Sequence, residues 1–138
     1  MSVLKLFKLK GVENLTDIDI SLVRAFRNTD SSKTGPKRAC IEVLSDVLLQ
    51  HHAVTTRKWL SGLLPDLRSR GFTTLAIVNP QMHSAEDVHA ILGLFDGEIR
   101  ISERESARGL EKVLRIRKLY NQRYMENELI VTRQRLQS

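Results

Sequence analysis

The chain is 138 residues long and 41% hydrophobic, enough for one domain with a buried core and too short for two ordinary ones, so residues 1–138 read as a single domain. Its net charge of +6 is uneven: residues 104–138 hold nine Lys or Arg against four acids, a basic end suited to nucleic acid, an anionic membrane or an acidic partner subunit. One cysteine excludes an internal disulfide, no stretch reaches the roughly 20 apolar residues of a membrane span, and the first residues lack a secretory pattern, so the expected address is the cytoplasm.

Val3 to Leu9 is β-prone and carries Lys5 and Lys8, as an edge strand does. Thr16 with Asp19 varies the capping-box pattern, and Ile18, Leu22, Val23 and Phe26 recur at helical spacing, predicting a helix over about 17–27. The polar stretch Asn28 to Lys37 has the turn chemistry of an exposed loop. Ala39 to Leu44 is an apolar run too short for a helix and reads as a buried strand, with Cys40 as an inert buried thiol. Thr55 or Thr56 then caps a helix with the stripe Trp59, Leu60, Leu63, Leu64 and Leu67, ending at Arg70 before Gly71. Pro65, in mid-pattern, predicts a kink or a helix start nearby.

Phe72 to Val78 is the clearest strand, stopped by Asn79-Pro80. Ser84 with Asp87 opens a helix carrying Val88, Ile91 and Leu92 and closed by Gly93, and Asp96-Gly97 turns into a short strand, Glu98 to Ser102. Val113 to Tyr120 and Leu129 to Arg135 read as two strands joined by a polar turn over Asn121 to Asn127, with no amphipathic helix between them, which predicts antiparallel pairing. The whole is an α/β pattern whose sheet is parallel in its body and ends in an antiparallel β-meander.

Three segments resemble the KaiC-type branch of the RecA superfamily of ATPases. Arg38 to Ser45 (RACIEVLS) resembles the Walker B strand, Arg70 to Val78 (RGFTTLAIV) resembles the strand after the following helix, and Phe95 to Ile101 (FDGEIRI) with Leu114 to Leu119 (LRIRKL) resembles two later strands. The resemblance covers roughly residues 36–136 and implies a RecA-like mixed sheet. It departs from the family where ATP is gripped. None of the seven glycines is followed by Lys-Ser or Lys-Thr, so the phosphate loop G-x-x-x-x-G-K-[ST] is absent from these residues. The resemblance places that loop, with its strand and helix, before Met1 and so implies a truncated domain. Glu42 stands where the family has aspartate, Val43 where it has serine, and Tyr120-Asn121 where it has Arg-Gly. Lys118 matches a lysine that, in the family's rings, reaches the neighbouring subunit's nucleotide.

Glu42, Walker B-like, has the chemistry to hold or activate a Mg2+-bound water, or is a solvated strand-end carboxylate paired with Lys37 or Arg38. Asn79, at a sensor-like position, either senses a phosphate or shapes the turn before Pro80. Arg115, Arg117, Lys118 and Arg123, with Tyr120 and Tyr124 among them, form a solvated face, a subunit interface or a strip for nucleic acid; on an ideal strand Arg115 and Arg117 share a face and Lys118 points away. His51, His52, His83 and His89 lack metal-ligand spacing, and Ser45 and Ser84 lack a nucleophile elbow.

The expected function is that of a non-catalytic, phosphate-loop-less KaiC/RecA-like domain serving as a regulatory or protein-interaction module. No cofactor is expected, ATP and Mg2+ entering only with a phosphate loop supplied from elsewhere, and no catalytic residue or metal ligand is assigned. The expected partner is a second copy or another RecA-like protein, with no membrane. The alternatives are the C-terminal fragment of a longer KaiC-like ATPase and a basic accessory protein that binds nucleic acid.

Overall fold

The computed structural model describes residues 11–29 and 35–132, so the strand expected over Val3 to Leu9 and the last three residues of the strand expected to Arg135 lie outside the described residues. The chain divides into two compact units, Met1–Leu94 and Phe95–Ser138.

In the first unit, α1 spans Leu15–Thr29. Its cap is Asn14 rather than Thr16: the Asn14 Oδ1 accepts a hydrogen bond from Thr16 N at 3.0 Å, satisfying one of the orphan donors of the first turn. β1, Lys37–Ile41, and β2, Phe72–Ala76, pair in parallel with Lys37 opposite Phe72 and Ile41 opposite Ala76. Between them runs α2, Leu44–Ser69, which begins about a dozen residues before the expected cap. Leu44, which reads as strand in the sequence, opens this helix and is buried with Val47 and Leu48 one turn on.

The interruption in α2 falls at His52, whose φ of 62° and ψ of 174° are non-helical, while the chain passes through Pro65 inside the helix. Thr56, fully buried, donates from Oγ1 to the Val47 carbonyl at 3.4 Å and so ties the two stretches together. The Leu60, Leu63, Leu64, Leu67 stripe is buried as its spacing predicts. Gly71, at φ 84°, ends α2 in a conformation that glycine adopts without steric cost, its N–H bonded to the Arg68 carbonyl at 3.0 Å.

The centre of the packing joins Phe26, Leu63 and Leu67 to Ala39, Ile41 and Phe72, so α1 and α2 cover one face of the parallel pair. The rings of Phe26 and Phe72 lie 5.4 Å apart and tilted by 46°, a favourable aromatic geometry. Arg70 stacks on Phe26 with its guanidinium carbon 4.6 Å from the ring centroid. A one-turn 3-10 segment, Pro80–Met82, leads to α3, Ala85–Leu92, where Ser84 Oγ accepts from Asp87 N at 3.2 Å as the sequence predicts. An Arg57 guanidinium nitrogen donates to the Ala90 carbonyl and binds α3 to α2.

The second unit is a β-meander. β3, Gly97–Ser106, and β4, Gly109–Leu119, form a long hairpin closed by Ala107-Arg108, with Gly109 at φ 100°; β5, Leu129–Ile130, pairs antiparallel to β4 through Leu114–Leu129 and Val113–Ile130. β3 and β4 both run further than their apolar residues indicate. The fold is mixed α/β, with the parallel and antiparallel strands in two separate sheets among the described residues.

Candidate functional site

Because β1 and β2 are parallel and in register, their carboxyl ends come out together, the place where open α/β sheets bind ligands. Glu42 follows β1 directly and is exposed, rather than sitting at the end of a buried strand. It makes no ion pair among the described residues; Lys37 instead reaches the Arg70 carbonyl at 3.4 Å and lies 5.8 Å from the Phe72 ring centroid. Ser45 is in the first turn of α2, and its Oγ accepts from Asn79 N at 2.8 Å. The Asn79 Oδ1 accepts from Gln81 N at 3.1 Å, with Pro80 at the first position of the 3-10 turn. Glu42, Ser45 and Asn79 are thus gathered at one end of the pair.

This crevice offers one open carboxylate. The Ser45 hydroxyl and the Asn79 amide oxygen are engaged in fixing backbone. This set of donors, among the described residues, does not by itself make a triphosphate site. Among the described residues no group of three His, Cys, Asp or Glu side chains converges on a common point. His51 and His52 lie within α2, the His51 Nε2 being 2.6 Å from the Val12 carbonyl. Cys40 is exposed, not buried: its position in β1 alternates with Ala39 and Ile41, which pack under the helices, so it points to the opposite face.

The basic residues of β4 are ordered by a β-bulge. Glu98 pairs with Lys118 and Ile99 with Ile116, leaving Arg117 as the extra residue. Alternation from Arg115 keeps Arg117 on its face, and the rung with Glu98 puts Lys118 there as well, since Glu98 and Arg100 share a face and meet at 2.8 Å. The expectation that Lys118 points away fails because an ideal alternation does not survive the inserted residue. Lys118 Nζ donates to the Phe95 carbonyl at 3.0 Å. Arg123 lies beyond β4, exposed in the connection to β5.

Sequence reasoning gave no sign of a groove of about 460 Å3 along α1 and the later part of α2, lined by Leu22, Val23, Phe26 and Trp59, with Asp19 accepting from Trp59 Nε1 at 2.9 Å. The α1 stripe is legible, but which helix it meets is not.

The architecture is that of KaiC/RecA-like α/β domains. It matches the KaiC-like protein PH0186 from the hyperthermophilic archaeon Pyrococcus horikoshii OT3 with a TM-score of 0.63, at 19% identity, over 85% of this chain and 52% of that one. At this identity the likeness speaks for the fold, and the chain spans about half the length of that protein. Residues 8–101 match DUF7504, a family of unknown function, and the chain belongs to that family. No curated protein matches it.

Proposed function

We propose that this chain is a non-catalytic KaiC/RecA-like domain acting as a regulatory or protein-interaction module. The observation that carries this reading is the bare side of the parallel pair. Parallel sheets are almost always covered on both faces, yet among the described residues of the first unit only the side of Ala39, Ile41 and Phe72 packs under helices, while Leu75 and Ile77 on the other are 56% and 49% exposed. A two-stranded parallel sheet that leaves Leu75 and Ile77 half in solvent gains stability by meeting another surface, and a second copy or another RecA-like protein supplies one. ATP and Mg2+ enter only where such a partner brings a phosphate loop. Among the described residues no helix is long and apolar enough to cross a membrane.

Phosphate release and sedimentation test this together. The purified chain with Mg-ATP is expected to show no turnover above blank and to self-associate with rising concentration. Turnover that Glu42→Gln abolishes would overturn the non-catalytic reading, and a chain that stays monomeric at every concentration would remove the self-association.

A further inference from the structure

We infer that the face of the β3–β4 hairpin bearing Arg100, Arg115, Arg117 and Lys118 binds the phosphodiester backbone of single-stranded nucleic acid. This goes beyond the module reading and stands independently of it, since it uses neither the crevice nor the bare parallel face.

The rungs of the hairpin carry the argument. Glu103 faces Lys112, and Arg104 faces Glu111 at 3.9 Å while also meeting Glu128 at 2.6 Å, so charge is matched where the strands meet the turn. Arg100 and Arg115 face one another directly, a like-charge rung that weakens a sheet. Arg100 has Glu98 as its counter-ion, whereas Arg115 and Arg117, both exposed, have no ion-pair partner among the described residues. The bulge then adds Lys118 to the same face instead of letting it alternate away. Arg104 and Glu111 lie on this face as well but are matched to each other, so beyond the Arg100–Glu98 pair the face presents Arg115 and Arg117 with Lys118 beside them. An anion placed between Arg100 and Arg115 turns their repulsion into attraction.

Alternate residues of a strand stand about 6.6 Å apart, a repeat that an extended phosphodiester strand and an extended acidic peptide both match, so the neighbouring aromatic rings decide for nucleic acid. Tyr120, 65% exposed, follows β4 directly, and the Tyr124 hydroxyl donates to the Arg117 carbonyl at 3.3 Å, so two aromatic rings flank the arginines where unpaired bases can stack.

Fluorescence anisotropy of the full chain with a labelled oligothymidylate of about 20 nucleotides tests this from about 50 mM salt upward. Binding is expected whose log K falls linearly with log salt, and Arg115→Gln or Arg117→Gln each flattens that slope by about 0.7. Arg115→Lys should retain the slope, and Lys112→Gln, an equal loss of charge on the opposite face of the same strand, should leave binding unchanged. Far-UV melting checks the fold, and removal of the like-charge rung should leave Arg115→Gln melting at or above the parent. Absence of binding at the lowest salt, or equal loss from Lys112→Gln, would overturn the proposal. Displacement by polyglutamate as effective as by unlabelled oligonucleotide would reassign the face to an acidic polypeptide and equally overturn it.

Discussion

His52 occupies a region of φ and ψ, 62° and 174°, that is essentially reserved for glycine and costs a side-chain-bearing residue about 1–3 kcal/mol. Its side chain is exposed, so His52→Gly removes the strain and little packing. Glycine's extra backbone entropy takes back roughly 0.5–1 kcal/mol. A net gain of about 1 kcal/mol is expected, read as a higher urea midpoint at unchanged slope. Thr56→Val, by contrast, keeps the shape but deletes the buried hydroxyl that spans the break to the Val47 carbonyl. That variant should lose about 1 kcal/mol in the same titration. Neither effect is legible in the sequence, because nothing in Gln50-His51-His52-Ala53 announces a backbone reversal inside an otherwise helical run. Cys40 shows the converse limit. Composition favours burial for a cysteine among apolar neighbours, but period-two alternation in β1 decides the face, and only the packing of Ala39 and Ile41 reveals which face is covered.

Among the elements, those with local chemistry to mark them were the legible ones. α1 follows from Ile18, Leu22 and Phe26, α3 from the Ser84 cap, and β2 from its β-branched and aromatic run, each a pattern confined to a few neighbouring residues. The β3–β4 hairpin was only half visible, since its outer rungs are mostly polar and two of them, Glu103–Lys112 and Arg104–Glu111, rest on cross-strand charge partners that no single strand displays. Gly97 belongs to the same element. A Cβ there would stand 3.1 Å from Leu119 Cδ1 and 3.3 Å from the Lys118 carbonyl oxygen, beside the bulge. Gly97→Ala is therefore expected to cost about 1–3 kcal/mol through overpacking, seen as a lower thermal midpoint. A midpoint unchanged within error would show that the bulge can shift to make room.

At the scale of the whole molecule, the residues that hold the fold and those proposed for association lie on opposite faces of the β1–β2 sheet. Leu67 is 1% exposed at the centre of the packing against Phe26 and Phe72, so Leu67→Ala should cost about 2–5 kcal/mol, lowering the urea midpoint. Leu75 and Ile77 alternate to the other side, already half in solvent, and replacing them removes little that folding has buried. The fold class was legible because three strand segments resemble one family in the right order; the open face was not, because a strand's sequence does not state what lies above it. The double change Leu75→Lys, Ile77→Lys separates the two roles. It should abolish concentration-dependent association in sedimentation while leaving the urea midpoint close to that of the parent, since two lysines on a solvated face repel a second copy without entering the core. Loss of folding in that variant would place those residues in the chain's own core, and association that persists would move the interface elsewhere.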